Sequence, residues 1–169
     1  MKKQNDEENI VLIGMPAVGK STIGILLAKK IGFDFLDTDI IIQTGEGKTL
    51  PEIIENIGVK KFLSLEQDYC LSVKCANYVI ATGGSAVYSS KGMAHLAGNS
   101  TVVYLEIGLD YLKKRLSALD ARGVIRGANQ DIESLYLERI PLYNRYADMV
   151  IECGDLTPDK VLTQIMEHL

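Results

Sequence analysis

"NIVLIGMPAVGKSTIGILLAKKIG", residues 9–32, is the stretch from which the fold follows. Its first part, "NIVLIG", is a short apolar run closed by a glycine, the form of a parallel strand buried on both faces. From Ser21 onward apolar residues recur at helical spacing, with Lys29 and Lys30 in the last turn and Gly32 where a helix would end. Between strand and helix lie Gly14, four residues and then Gly19-Lys20-Ser21, the phosphate-loop pattern in the context it requires. The glycines let backbone N–H groups turn toward phosphates, and the helix N-terminus adds positive potential. Lys20 can reach the outer phosphates, and Ser21 can offer its hydroxyl to magnesium. A glycine-rich turn with an incidental lysine is the plainer alternative, and the flanking strand and helix argue against it.

Outward from this unit the chain keeps alternating. "FDFLDTD" reads as a second strand ending in carboxylates, and "TLPEIIENIGVKKFLSLEQDYCLSVKCA" as a helical region broken near Gly58. "YVIATGG" is a third strand running into glycines, "GMAHLAG" a short helix, "STVVYLEI" a fourth strand, and "DYLKKRLSAL" a helix capped by Asp110. "DARGVIRGANQD" lacks periodicity and is expected to be a loop. "IESLYLERIPLYNRYA" is helical but should kink or split at Pro141. "DMVIEC" is a fifth strand, and "TPDKVLTQIMEHL" a closing helix with Thr157 as cap and Pro158 in the first turn. Strands and helices in this order predict an α/β fold, a five-stranded parallel sheet with helices on both faces, joined by right-handed crossovers. No internal repeat or linker is visible, so residues 1–169 are expected to form one domain.

Composition narrows the partners. The 169 residues are 47% hydrophobic and 24% charged, as in an ordinary globular domain, with a net charge of −4. No basic field is available to track a nucleic-acid backbone. No apolar run approaches the length of a membrane span, and the polar start "MKKQNDEEN" lacks the apolar centre of a signal peptide, so a cytoplasmic protein without a membrane or nucleic-acid partner is expected. A monomer is the expectation for assembly, although composition and charge do not reveal it. Cys70, Cys75 and Cys153 have no metal-ligand spacing, and an odd number is a poor disulfide framework; they read as reduced, buried thiols.

In parallel sheets ligands gather at the carboxyl ends of the strands. Those ends here carry residues 14–21, 37–39 and 83–85. Asp37 and Asp39, one residue apart at a strand end, would start on the same side of an extended backbone, one serving a metal and its neighbour an acceptor hydroxyl. A solvated turn or a helix cap is the ordinary use of such a pair. Gly83-Gly84 is either a simple turn or a place where backbone must approach a ligand closely.

Taken together, "GKSTIG", the "DTD" triplet, the glycine pair after the third strand, the arginine of the late loop and "ERIPLYNRYAD" resemble the shikimate kinase family in order and approximate spacing over nearly the whole chain. The resemblance implies a three-layer P-loop kinase fold with a substrate-binding helical segment near 38–66 and a lid near 118–132. It implies an activity that moves the terminal phosphoryl of ATP to the 3-hydroxyl of shikimate, in aromatic amino acid biosynthesis, with Mg2+. Carried over, Gly14, Ala17, Val18, Gly19, Lys20, Ser21 and Thr22 would hold the nucleotide, and Ser21 and Asp37 the metal. Asp39 would hold the acceptor hydroxyl and take its proton, Gly83 and Gly84 would lie against the substrate, Arg122 would meet the nucleotide from the lid, and Arg139 would pair with the substrate carboxylate. Lys20, Asp39 and Arg122 form the catalytic set.

Three positions and the lid segment depart from the family pattern. Leu63 stands where a second carboxylate-binding arginine is usual, and losing such a fork commonly costs on the order of 1.5 to 3 kcal/mol. Lys60, three residues earlier, would face the same way on a continuous helix and is a candidate replacement, set against the more ordinary role of a solvated surface lysine. Ser85 replaces a third glycine and either reaches a substrate hydroxyl or caps the next helix. Ala17 replaces a loop glycine, which the conserved spacing of the cradle should make a minor change. The lid reads "RGVI" instead of arginine, proline and leucines, with Arg126 a further possible contact. Two alternatives therefore stand beside the leading one: a P-loop kinase for another small hydroxylated metabolite, and a catalytically weak nucleotide-binding module.

Overall fold

The computed structural model describes residues 8–117 and 130–169. Most of the expected lid, with Arg122 and Arg126, lies outside the described residues. The sheet has five parallel strands, β1 (Asn9–Ile13), β2 (Asp34–Asp37), β3 (Tyr78–Ala81), β4 (Ser100–Glu106) and β5 (Met149–Glu152), in the order β2-β3-β1-β4-β5. β1 is buried at every position because it is flanked by β3 and β4 and covered on both faces, which is why its sequence is uniformly apolar instead of alternating. Its carboxyl end therefore opens at the middle of the sheet.

Helix α1 (Lys20–Ile31) follows directly from Gly19 and ends on Gly32 in the left-handed conformation, φ 78°, whose N–H returns to the Ala28 carbonyl. Its Gly24 is needed for packing, since a Cβ there would lie 2.5 Å from the Phe35 ring of β2 and 3.3 Å from Leu12. Next come α2 (Thr38–Glu46), α3 (Leu50–Ile57) and α4 (Val59–Ser72), and Gly58, φ 78°, breaks α3 from α4 where the glycine predicted it. Ile42, Ile53 and Phe62 form a small core of their own, with Leu63 and Tyr69 packed against it, separate from the main core around β1 and β4. Helices α5 (Ser90–Ala97), α6 (Leu109–Ser117), α7 (Ile132–Tyr146) and α8 (Pro158–His168) complete the layers. Among the described residues no helix is long and apolar enough to cross a membrane. Cys70 and Cys153 are buried free thiols, while Cys75 is partly exposed.

Three local expectations need correction. The second strand stops at Asp37, and Asp39 lies in the first turn of α2, so the two carboxylates do not share an extended backbone. Asp110 is not a cap: α6 begins at Leu109, one residue before it, and its first turn is closed by Leu112 N–H bonding the Gly108 carbonyl. Pro141 neither splits nor ends α7. The helix N–H that proline lacks would have gone to the carbonyl of Leu137, which is 64% exposed, so water can take that acceptor.

Replacing Gly24 by alanine should overpack the α1–β2 contact and destabilise the protein by roughly 1 to 3 kcal/mol. Urea unfolding should show a lower midpoint at unchanged slope; an unaltered midpoint would mean that Phe35, on its edge strand, swings aside without cost.

Candidate active site

The phosphate loop is shaped by three left-handed residues. Gly14 (φ 145°) and Gly19 (φ 104°) adopt such angles readily, but Ala17 (φ 64°) does not, and holding it there costs about 1 to 2 kcal/mol. A glycine at this position would be relaxed, so the change is not minor for the loop's stability, although the cradle keeps its form. Gly14 also has no room for a side chain: a Cβ would lie 2.5 Å from the Leu105 carbonyl oxygen of β4. Lys20 turns back into the loop, and its Nζ donates to the carbonyls of Gly14 and Met15, each at 2.8 Å. Burial pushes its pKa down to about 8, against the opposing pull of Asp39 and Asp37. A lysine that has lost water and found only neutral carbonyls is poised for an anion.

Arg115, on α6, braces this loop from outside. Its guanidinium donates to the Val18 carbonyl at 2.8 Å and to Gly154, after β5, at 3.0 Å, with a longer bond to Ala17 at 3.5 Å. Sequence reasoning passed over Arg115, because a lysine- and arginine-rich helix face reads as solvated surface.

Asp37 has two separate tasks. Its Oδ1 caps α2 by accepting from the N–H groups of Asp39 (2.9 Å) and Ile40 (3.4 Å), and its Oδ2 accepts from Ser21 Oγ at 2.5 Å. The capping use of this aspartate is realised, and the same carboxylate holds the Ser21 hydroxyl. Asp39 is half-buried, and burial together with the neighbouring Asp37 raises its pKa to about 6, Lys20 pulling it the other way.

The opposite wall comes from the segment after β3. Thr82 Oγ1 donates to the Leu12 carbonyl at 2.9 Å, and Gly83 N–H donates to Thr38 Oγ1 at 3.1 Å. The absent side chain of Gly83 makes room for carboxylates: a Cβ there would lie 2.5 Å from Glu66 Oε1 and 2.7 Å from Asp39 Oδ1. At Gly84 a Cβ would come within 3.0 Å of both Arg139 Nη1 and Pro16. Tyr143, stacked on Tyr104 with centroids 5.1 Å apart, pins the turn by donating to the Gly84 carbonyl at 2.7 Å. Arg139, on α7, is 1% exposed; its Nε donates to Tyr88 Oη at 3.2 Å and its guanidinium lies over the Tyr88 ring, 5.2 Å from the centroid.

Of the two uses expected of Ser85, the structure excludes the cap. It precedes a short 3-10 turn (Ala86–Tyr88) without capping it, and its Oγ donates instead to Glu66 Oε2 at 2.7 Å. Glu66, 2% exposed, is a buried carboxylate that sequence reasoning missed, because on "KKFLSLEQD" it looks like one more surface charge. Leu63 lies one turn before it and packs into the Ile42–Ile53–Phe62 core. Lys60 is on the same helix but exposed and away from the cavity wall, so the solvated reading holds for it.

A cavity of about 400 Å³ is lined by Ala17, Gly19, Lys20, Ser21 and Thr22 on one side and by Asp39, Gly83, Gly84, Ser85 and Arg139 on the other. Gly14 lies behind the loop, and Val18 is buried beneath it. A phosphate loop at the central strand of a parallel sheet, facing an aspartate and a buried arginine across one cleft, defines a P-loop kinase of small molecules. The sequence pattern of the family described as Shikimate kinase matches residues 16–169. A shikimate kinase of Thermodesulfovibrio yellowstonii is 34% identical over 164 residues, covering 95% of this chain and 94% of its own. One of Pseudomonas entomophila is 36% identical over 165 residues, covering 95% of each. The fold matches that of the Acinetobacter baumannii shikimate kinase solved in complex with shikimate, with a TM-score of 0.78, 29% identity and coverage of 96% of this chain and 92% of that one. The chain belongs to the shikimate kinase family.

Arg115→Ala should loosen the phosphate loop and weaken ATP binding by about tenfold, leaving acceptor affinity within about threefold, since three backbone carbonyls lose a charged donor. Titration calorimetry with each ligand checks this, and an unchanged ATP affinity would remove Arg115 from the loop's support.

Proposed function

We infer that this chain transfers the γ-phosphoryl of ATP to the 3-hydroxyl of shikimate, a step toward the aromatic amino acids. What carries the reading is that Lys20, Asp39 and Arg139 line one cavity in a chain of this family. The segment near 38–66 would form the acceptor side, and the segment near 118–132, with Arg122, the lid. The three free thiols suit a reducing cytoplasm.

Phosphoryl transfer demands alignment and charge neutralisation more than covalent participation, because the transition state is loose and its charge spread. Lys20 would exchange its two carbonyl partners for phosphate oxygens, and the N–H groups of Gly19, Lys20, Ser21 and Thr22 at the start of α1 would face the same anion. Arg139 would hold the acceptor's carboxylate, with Gly83 and Gly84 letting the ring approach the backbone. Asp39, across the cavity from Lys20, would accept the proton of the 3-hydroxyl as its oxygen bonds to phosphorus and the bond to the departing diphosphate breaks. The Ser21 hydroxyl and Asp37 carboxylate, hard oxygen donors 2.5 Å apart beside the loop, fit Mg2+, which would neutralise phosphate charge when bound. Arg122 would add positive charge from the lid, whose closure would keep water from competing as acceptor.

Leu63 favours one further arm in the test, since it leaves the carboxylate without a second fork. A coupled ADP-release assay should show saturable, Mg2+-dependent turnover with shikimate and little without acceptor. Faster turnover with another hydroxy acid in a panel would move the acceptor assignment, and acceptor-independent ADP release alone would refute it.

Asp39→Asn should lower kcat by about a hundredfold or more while ATP affinity stays within about threefold. The pH profile follows from the same groups. Asp39 acts as a base only when ionised, so kcat/KM should fall as pH drops through about 6, where it takes up a proton. Lys20 binds phosphate best when charged, so kcat/KM for ATP should fall again as pH rises through about 8. A profile flat from acid to alkaline pH would contradict both assignments.

A further inference from the structure

Glu66 has no place in the reaction as described, yet it is one of the most deeply buried charged side chains beside the cavity. An ionised carboxylate offers about four acceptor sites. Among the described residues, Oε2 has a single donor, Ser85 Oγ at 2.7 Å, and Oε1 is buried with none. Position 63, one helical turn away and on the same side of α4, holds a leucine where a guanidinium would have been within reach. Of the two protonation states, the neutral acid is the one this environment satisfies.

Ser85, a residue of the cavity lining, links Glu66 to the cavity. A serine has one proton to give. When Glu66 is ionised that proton is spent on Oε2, and nothing remains for a ligand. When Glu66 is neutral its own O–H can donate to Ser85 Oγ, and the serine proton is released toward the cavity.

We propose that Glu66 is carried as the neutral acid when the acceptor is bound and that, through Ser85, it hydrogen-bonds the acceptor's carboxylate, standing in for part of the missing guanidinium at position 63. The inference rests on the acceptor being a hydroxy acid, as proposed above. The groups facing Glu66 agree with a proton arriving on binding. Asp39 on α2 disfavours its ionisation. Cys70 on α4 and Tyr143 on α7 carry no charge, their pKa values raised by burial. Lys20 on α1 and Arg139 on α7 favour ionisation in the free protein, but both turn to ligand anions in the complex, and the acceptor adds a negative charge of its own. Burial raises the Glu66 pKa to about 7 in the free protein, so near pH 8 most molecules would have to take up a proton as they bind.

Calorimetric titration of shikimate near pH 8, in two buffers of different ionisation heat, reads that proton directly. The unmodified protein should take up most of one proton per acceptor, and its affinity should fall about tenfold between pH about 7 and 8.5. Glu66→Gln, neutral at every pH and able to donate to Ser85, should abolish most of the uptake and hold its affinity across that range, with Asp39 cancelling in the difference. Ser85→Ala, which leaves Glu66 in place, should weaken shikimate by about tenfold at pH near 6.5 without altering ATP affinity. Equal uptake in the unmodified and Glu66→Gln proteins, or, should that variant not fold, an unchanged affinity in Ser85→Ala, would overturn the inference alone. Absence of shikimate-dependent ADP release from the unmodified protein would overturn the acceptor assignment and this inference with it.

Discussion

A lysine ammonium buried at the tip of the central strand governs this structure. Lys20 Nζ is held 2.8 Å from two carbonyls of its own loop, with little water to solvate it. That arrangement requires the loop to wrap inward, and the loop accepts three left-handed residues, one of them an alanine, to do so. It also requires β1 to end in the middle of the sheet, between β3 and β4, so that the residues following both neighbours can close around the anion site. The glycine pressed against the β4 carbonyl and the arginine clamp from α6 hold the loop in this inward-wrapped form.

The acceptor side has the opposite difficulty. Asp37, Asp39 and Glu66 crowd this part of the site with carboxylates, and burial raises the pKa of the last two toward neutrality. Gly83 is the hinge of that crowding, because the space a Cβ would take is filled by the oxygens of both Asp39 and Glu66. Each carboxylate is managed differently. Asp37 is tied to Ser21 and two backbone N–H groups, Asp39 faces the cavity, and Glu66 is matched by a serine. Ser85 in place of a glycine and Leu63 in place of an arginine thus both lie next to Glu66, the first by a hydrogen bond and the second one helical turn away.

How legible this was in the sequence depended on range. The phosphate loop, α1 and the five strands could be read because each is specified by neighbours a few residues away: an apolar run, a helical period, a glycine at a helix end. The break at Gly58 was legible for the same reason. Reading failed where a long-range contact outranked a local one. The "DTD" triplet continues a strand by pattern, but Asp37 gains two backbone donors and Ser21 by starting a helix there. Pro141 should interrupt α7, but Arg139 and Tyr143 on either side of it are fastened to Tyr88 and Gly84, and Leu137, whose carbonyl loses its helix partner, is an exposed residue.

Spacing within the chain was therefore enough to read a phosphate loop with Lys20 and Ser21 in an α/β fold, since a phosphate cradle is a local object built from consecutive backbone amides, while the family and the roles expected of Asp37, Asp39 and Arg139 came from a resemblance spread over nearly the whole chain. Only the tertiary structure could distinguish Glu66 from the other acidic residues of its helix, give Ser85 a partner nineteen residues away and turn Arg115 from surface charge into a brace. Burial is a property of what packs over a side chain, and no stretch of sequence contains its own surroundings.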